Sequence, residues 1–392
     1  MYIALLGRQP TIGIAELERV FGGSAVSPIS PLGALVQTDT FNLDNLGGTL
    51  KAGRVTIDLP GGDWHKLSQK IVQYYTTGWS GHEGKITLGI SAYGFNVSGR
   101  EVQKTGIILK QKLKKTDISL RLIPNTEAAL STATSHHNKL GLSSNKVELL
   151  LFKAKDGRMI VAESIGAQNI TAYTKRDQNR PKRDAFVGML PPKLAQIMIN
   201  LAIGIQPNNQ NDFRILDPFC GTGVVLQEAV LQGYIVYGTD LVEKMIDYSR
   251  ENLHWLEDTH HVTVHAELQP GDAMTTRWNS PIDAVVSETY LGQPFSAIPS
   301  PSKLAEVTKN CNHIVTDFLT NLSSQIQPGT LLCIAVPAWR DHNGGFSHLP
   351  LIETIANLGY KPHEFHNVSP RDMLYYREDQ TVARELLVLT KM

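Results

Sequence analysis

An acid, a glycine turn and a second acid form the most chemically specific stretch of this 392-residue chain. They are Asp217-Pro218-Phe219-Cys220-Gly221-Thr222-Gly223, then Asp240, seventeen residues after Gly223. The apolar run Ile215-Leu216 ends in Asp217, as a buried parallel strand ends at its carboxyl edge. Gly221 and Gly223 permit a tight turn and close approach of a ligand to the backbone. Residues 224–231 have helical spacing, Gly233 supplies a stop, and 234–238 read as a second strand tipped by Asp240. That geometry suits an adenosine-bearing cofactor, with the second acid accepting both ribose hydroxyls. Nicotinamide enzymes use the same geometry, and a ligand-free structural unit is the plain alternative. Against a dinucleotide, the turn is not G-x-G-x-x-G. Asp217 would also repel a pyrophosphate while attracting the ammonium of a methionine moiety.

D-P-F-C-G-T-G with Asp240 in place resembles motif I of the Rossmann-like S-adenosylmethionine (SAM) methyltransferases, in the form used by RNA methylases. Upstream, R-P-x-R-D-x-x-x-x-M-L-P-P-K-L-A-x-x-M-I-N-L-A resembles the segment before motif I in archaeal and eukaryotic tRNA guanosine N2-methyltransferases. In that family it lies against the methionine end of the cofactor. Farther upstream, L-S-T-A-x-x-x-H-N-K-L and the strand pair after it resemble a THUMP domain, an RNA-binding module of tRNA-modifying enzymes.

The resemblance implies an α/β chain. A ferredoxin-like domain would span 1–60, a THUMP-like domain 61–167 and a basic linker 168–185. A Rossmann-like methyltransferase domain would fill 186–392, with a seven-stranded, mostly parallel sheet and an antiparallel last strand. The implied cofactor is SAM, held by Asp217, Phe219, Cys220, Gly221, Thr222, Gly223, Asp240, Leu241, Asp272 and Ala273. Asp272 would accept from the adenine amine. RNA, most plausibly tRNA, would be the partner, touching His137, Asn138, Lys139, Lys175, Arg176, Arg180 and Arg183. The plain readings of these are a packing histidine and solvated cations. Some eukaryotic relatives need a small activator subunit, and the sequence does not decide whether this chain does.

Chemistry is expected at the tip of the fourth strand, 282–288. Amino-directed methylases carry [DNS]-P-P-[YFW] there. An exocyclic amine has little free lone pair. An acidic or amide oxygen and a backbone carbonyl accept its hydrogens while an aromatic ring stacks on the base. Here the tip is Ser287-Glu288-Thr289-Tyr290-Leu291-Gly292, without the double proline. Glu288 falls at the acid position, Thr289 and Tyr290 at the prolines, and Leu291 at the aromatic. Three readings stay open: a working tip with Glu288 as acceptor and Tyr290 as stacking ring, a site altered toward another nucleobase atom, including a DNA adenine, or an RNA-binding protein that no longer transfers methyl.

Charge supports a division of labour. Net charge is zero, but residues 1–183 hold 24 Lys+Arg against 14 Asp+Glu, and residues 184–392 hold 13 against 23. A basic half would grip a polyanion and an acidic half would do the chemistry. Cys220, Cys311 and Cys333 have neither metal nor disulfide spacing, so reduced thiols in the cytoplasm are expected and no metal. The first residues read as a strand rather than a signal.

The remaining elements must position these groups. Helices are expected over 12–21, 45–53, 64–75, 102–115, 192–201, 242–256 and 349–358. Strands are expected over 2–6, 34–37, 54–59, 85–93, 119–122, 147–153, 158–164, 262–264, 331–336 and 383–390. Asp156-Gly157 marks a hairpin, and 168–185 reads as turn-rich and irregular.

Overall fold

The computed structural model describes residues 1–184, 189–204, 212–295 and 297–392; Phe186, Val187 and Gly188 of the pre-motif segment lie outside the described residues. The chain divides into two compact units, Met1–Leu17 with Ser24–Ala172, and Glu18–Gly23 with Tyr173–Met392.

The first unit is built on one eight-stranded sheet. Its order is Val26–Ser30, Gly33–Val36, Tyr2–Leu6, Thr49–Leu59, Met159–Ala167, Lys146–Lys153, Ile86–Tyr93 and Leu120–Leu122. The sheet runs unbroken past the boundary expected at residue 60, because the strands Thr49–Leu59 and Met159–Ala167 pair from Lys51↔Ala167 to Leu59↔Met159. Helices Trp64–Gly78 and Gly99–Lys114 bury Leu67, Ile71, Val72, Val102, Leu109 and Leu113 against it. Each such side chain contributes about 1.5–3 kcal/mol. Ser98 and Glu101 form a capping box at the second helix. The Asp156-Gly157 hairpin joins two antiparallel strands, as expected.

The helix expected over 45–53 is absent. Leu43–Asn45 makes a single 3₁₀ turn, and Thr49 onward is strand. Two features explain the correction. The Glu16 carboxylate accepts from Gly47 N and Gly48 N at 2.9 and 2.7 Å, turning the chain. Lys51 is buried in the sheet and bonded to Glu148 at 2.5 Å. Its Nζ also donates to Leu130 O at 2.8 Å, anchoring the start of the 130–140 segment.

The second unit carries the expected Rossmann-like sheet. Its order is Ala266–Pro270, Ile235–Asp240, Arg214–Asp217, Ala284–Glu288, Leu331–Arg340, Val382–Lys391 and Tyr360–Pro362, with two short strands at 346–347 and 374–375 beside it. The first five are parallel, and Val382–Lys391 inserts antiparallel beside the fifth over nine pairs, Leu331↔Thr390 to Trp339↔Val382. Strand order therefore reverses between Arg214–Asp217 and Ala284–Glu288. Ligands bind outside the carboxyl ends of the strands at such a switch point.

Three further expectations need correction. The third strand is Ala266–Pro270, not 262–264, since pairing with its neighbour begins only at Val236 N→His265 O. The connector is not irregular: Ile170–Gln178 is a helix. Helix Pro192–Ile203 is buried nearly all round, Gln196 and Asn200 included, rather than on one face. The 23-residue helix Pro301–Ser323 has no counterpart among the expectations, although Ser300 caps it and Pro301 opens it. Val307, Cys311, Val315, Phe318 and Leu322 form its buried stripe. Among the described residues no helix is long and apolar enough to cross a membrane.

Candidate active site

The glycine loop joins strand Arg214–Asp217 to helix Val224–Leu231. Gly221 (φ 52°) and Gly223 (φ 79°) both take left-handed backbone, for different reasons. A Cβ on Gly223 would lie 2.9 Å from Ser249 Oγ, so its bareness serves packing. A Cβ on Gly221 would meet nothing within 4 Å, so open space lies over that residue. Cys220 N donates to Thr239 O at 2.9 Å, and burial pushes its thiol well up, which makes it a packing group. Phe219 packs edge-on against Phe318.

Two acids brace the loop. Asp240 Oδ2 accepts from Gly221 N and its Oδ1 from Val242 N, both at 2.9 Å. Each carboxylate oxygen keeps a lone pair for a further donor. Leu241 beside it is 72% exposed, an apolar rim. Asp217, only 2% exposed, accepts from Ser287 Oγ at 2.6 Å and from Phe219 N at 3.2 Å. Asp272 holds its own turn, accepting from Met274 N at 2.9 Å, and leaves Oδ2 without a protein partner among the described residues. Ala273 is buried beneath it.

Glu288 ends the fourth strand at the same crevice. Arg384 Nε donates to Glu288 Oε1. Thr289, at an expected proline position, is fixed by two bonds to Ala335 O, from its N at 3.0 Å and its Oγ1 at 3.1 Å. Hydrogen bonds thus stiffen a tip that lacks prolines. Tyr290, beside Thr289, is 44% exposed.

Electrostatically the crevice asks for cations. Burial pushes the Asp217 carboxyl up to about 7, and the charges of Asp240 and Glu288 add to the effect. Burial likewise raises Asp240 and Glu288, the latter opposed by Arg384. Three shielded acids with one cation suit a positively charged guest and disfavour a pyrophosphate. These groups fit SAM: Asp217 would take an ammonium and Asp240 ribose hydroxyls, with open space over Gly221. Among the described residues no cluster of His, Cys, Asp and Glu could hold a metal ion.

Sequence reasoning missed several supporting residues. Ser249 Oγ donates to Gly221 O at 2.8 Å. Asn252 Nδ2 donates to Thr222 O at 2.8 Å and to Lys182 O at 3.0 Å, while its Oδ1 accepts from Lys182 N at 2.9 Å. Asn252 therefore ties the pre-motif segment to the glycine loop. The available signal was two polar residues, three apart, on the inward face of helix Glu243–His260.

The expected RNA contacts divide. Arg176 makes a two-pronged bond to buried Glu228, Nε to Oε1 at 2.6 Å and Nη2 to Oε2 at 3.1 Å. Arg180 is 3% exposed. Both therefore lie as interior groups of the second unit. Lys175 and Arg183 are exposed. In the first unit His137 and Lys139 are exposed, but Asn138 Nδ2 is occupied by Thr134 O at 2.9 Å, closing the short helix Thr132–His137.

Comparison with known proteins agrees with this geometry. Residues 180–308 match the RMKL-like methyltransferase domain family. The chain is 33% identical over 167 residues to a tRNA (guanine(10)-N2)-dimethyltransferase of Methanothermobacter thermautotrophicus, covering 42% of this chain and 44% of that protein. It is 34% identical over 109 residues to the protein of the same name from Pyrococcus abyssi, covering 28% and 26%. The chain thus spans under half the length of these curated relatives. Its fold is similar to TrmN from Thermus thermophilus, with TM-score 0.51, 14% identity and 100% and 99% of the two chains covered. It is also similar to a possible methylase from Clostridium difficile 630, with TM-score 0.53, 13% identity and 98% and 97% covered.

Proposed function

We propose that this protein is a SAM-dependent RNA methyltransferase acting on the exocyclic N2 of a guanosine in tRNA, position ten being the first to test. The observation that carries the reading is the crevice at the strand-order reversal, where Asp217, Asp240 and Glu288 converge beside an open glycine loop. The domain match over 180–308 and the names of the two archaeal relatives support the chemistry and the substrate.

SAM, when bound, supplies an electrophilic methyl group. Asp217 would hold the methionine ammonium, Asp240 the ribose hydroxyls and Asp272 the adenine amine. Glu288 would accept a hydrogen from the target amine, and Tyr290 would stack on the base. Residues 61–167 would serve as a THUMP-like RNA-binding region, preceded by a ferredoxin-like one, with His137, Lys139, Lys175 and Arg183 as the exposed contacts. The site of action would be the cytoplasm.

The altered tip at 287–292 favours one competitor, an RNA-binding protein that no longer transfers methyl. Mass spectrometry of tRNA nucleosides after incubation with SAM separates the two. N2-methylguanosine is expected; SAM binding with no methylated nucleoside on any tRNA would support the competitor.

A further inference from the structure

Glu288 and Arg384 meet across an intervening strand, and the residues between them explain how. Glu288 pairs with Ala335, and Arg384 with Pro337, two residues farther along the same strand. Ala335 pairs in turn with Leu386, so Glu288, Ala335, Pro337 and Arg384 share one face of the sheet. Ala335 and Pro337 are short, and the long arginine spans them. The Arg384 side chain is 9% exposed and that of Glu288 14%. Glu288 Oε2 and the terminal guanidinium nitrogens have no protein partner among the described residues.

The surrounding charges are unequal. Asp217 lies near Glu288 from the neighbouring strand and Asp240 lies beyond it, both acidic. Arg384 is the cation facing Glu288. Glu385, next in sequence, points to the opposite face and is bonded to His348 at 2.7 Å.

Building on the methyltransferase reading, we propose that Arg384 is the positioning residue for transfer: it keeps Glu288 ionised and aims its free oxygen at the target amine. A glutamate among two other shielded acids would otherwise take up a proton and lose acceptor capacity. The guanidinium offsets that charge with a charge-assisted bond to one oxygen and leaves the other open. SAM would supply the methyl group to the amine nitrogen and leave as a neutral thioether. The surplus proton on nitrogen would pass to Glu288 Oε2 and on to solvent.

The test is a carboxyl NMR titration of ¹³C-glutamate-labelled protein, with Glu288 assigned by its loss in E288Q. In R384Q the Glu288 midpoint should rise by about one pH unit or more, and transfer should fall roughly tenfold below that midpoint and recover above it. R384K keeps the charge, guards against misfolding and should shift the midpoint less. SAM affinity should stay within about threefold in both, since neither change touches the donor groups. An unchanged Glu288 midpoint in R384Q overturns the proposal, whether or not the protein is active. A wild-type protein that binds no SAM overturns the methyltransferase reading instead, and the titration still decides what Arg384 does to Glu288.

Discussion

Ser287 donates to Asp217 Oδ1 at 2.6 Å, linking the two strand ends between which the sheet order reverses. The bond joins the glycine loop to the tip of the fourth strand, one residue before Glu288. Asp217 is therefore a shared group, and its protonation is felt on both sides of the crevice.

The first prediction concerns pH. Burial pushes the Asp217 carboxyl up to about 7 from its ordinary 3.8. Its raised value favours the unliganded fold below the unfolded-state value, and that contribution is lost as pH rises through 7. If the proposed ammonium contact holds, SAM binding has the opposite trend: affinity should fall about tenfold for each pH unit below 7. Calorimetry from pH 5.5 to 8.5 should show this slope and proton release. In D217N the slope should flatten; a slope unchanged by D217N would exclude Asp217 as its source.

The two loop glycines should fail differently when changed to alanine. Each substitution imposes left-handed backbone on a non-glycine residue, costing about 1–2 kcal/mol. G223A also drives a methyl toward Ser249 Oγ, 2.9 Å away, and should lose roughly 1–3 kcal/mol more in urea melts. G221A meets open space and should be the milder for stability but should weaken SAM binding. Equal melts for the two variants would contradict this assignment.

Asp240 braces the loop with both oxygens. D240N replaces one acceptor by a donor and leaves either Gly221 N or Val242 N unpaired. A loss of about 1–3 kcal/mol in stability is expected, with SAM affinity reduced roughly tenfold or more as the ribose acceptor is lost. Retention of wild-type affinity in calorimetry would remove Asp240 from the ribose site.

The basic residues should separate into two classes. R176A strands buried Glu228 and should cost about 3 kcal/mol in a urea melt. K175A and R183A, being exposed, should leave stability within about 0.5 kcal/mol. Both should weaken tRNA binding and reduce its salt dependence. A stable R176A protein with lost RNA affinity would restore Arg176 as an RNA contact.

The glycine loop and its flanking strands were legible because their residues lie close together and each carries a distinct constraint: an acid, two glycines and a second acid at a strand end. The parallel sheet followed from the same βαβ unit, and the antiparallel last strand from the family resemblance. Arg384 was not legible, because its partner lies 96 positions away and only sheet register brings them together. Asn252 looked like an ordinary helix residue, and its two backbone partners come from separate loops. The helix expected over 45–53 failed for a similar reason: the buried carboxylate of Glu148 that accepts Lys51 lies far along the chain and cannot be read from local pattern. Arg176 and Arg180 looked like phosphate ligands by composition, yet an interior acid on the next helix holds the first, and burial encloses the second.

SAM as the donor is tested by calorimetric titration of SAM into the purified protein, with NAD as the control. One SAM bound per chain is expected, with no heat from NAD and binding sharply weakened in D217N at pH 8. Binding of NAD with no heat from SAM would contradict it.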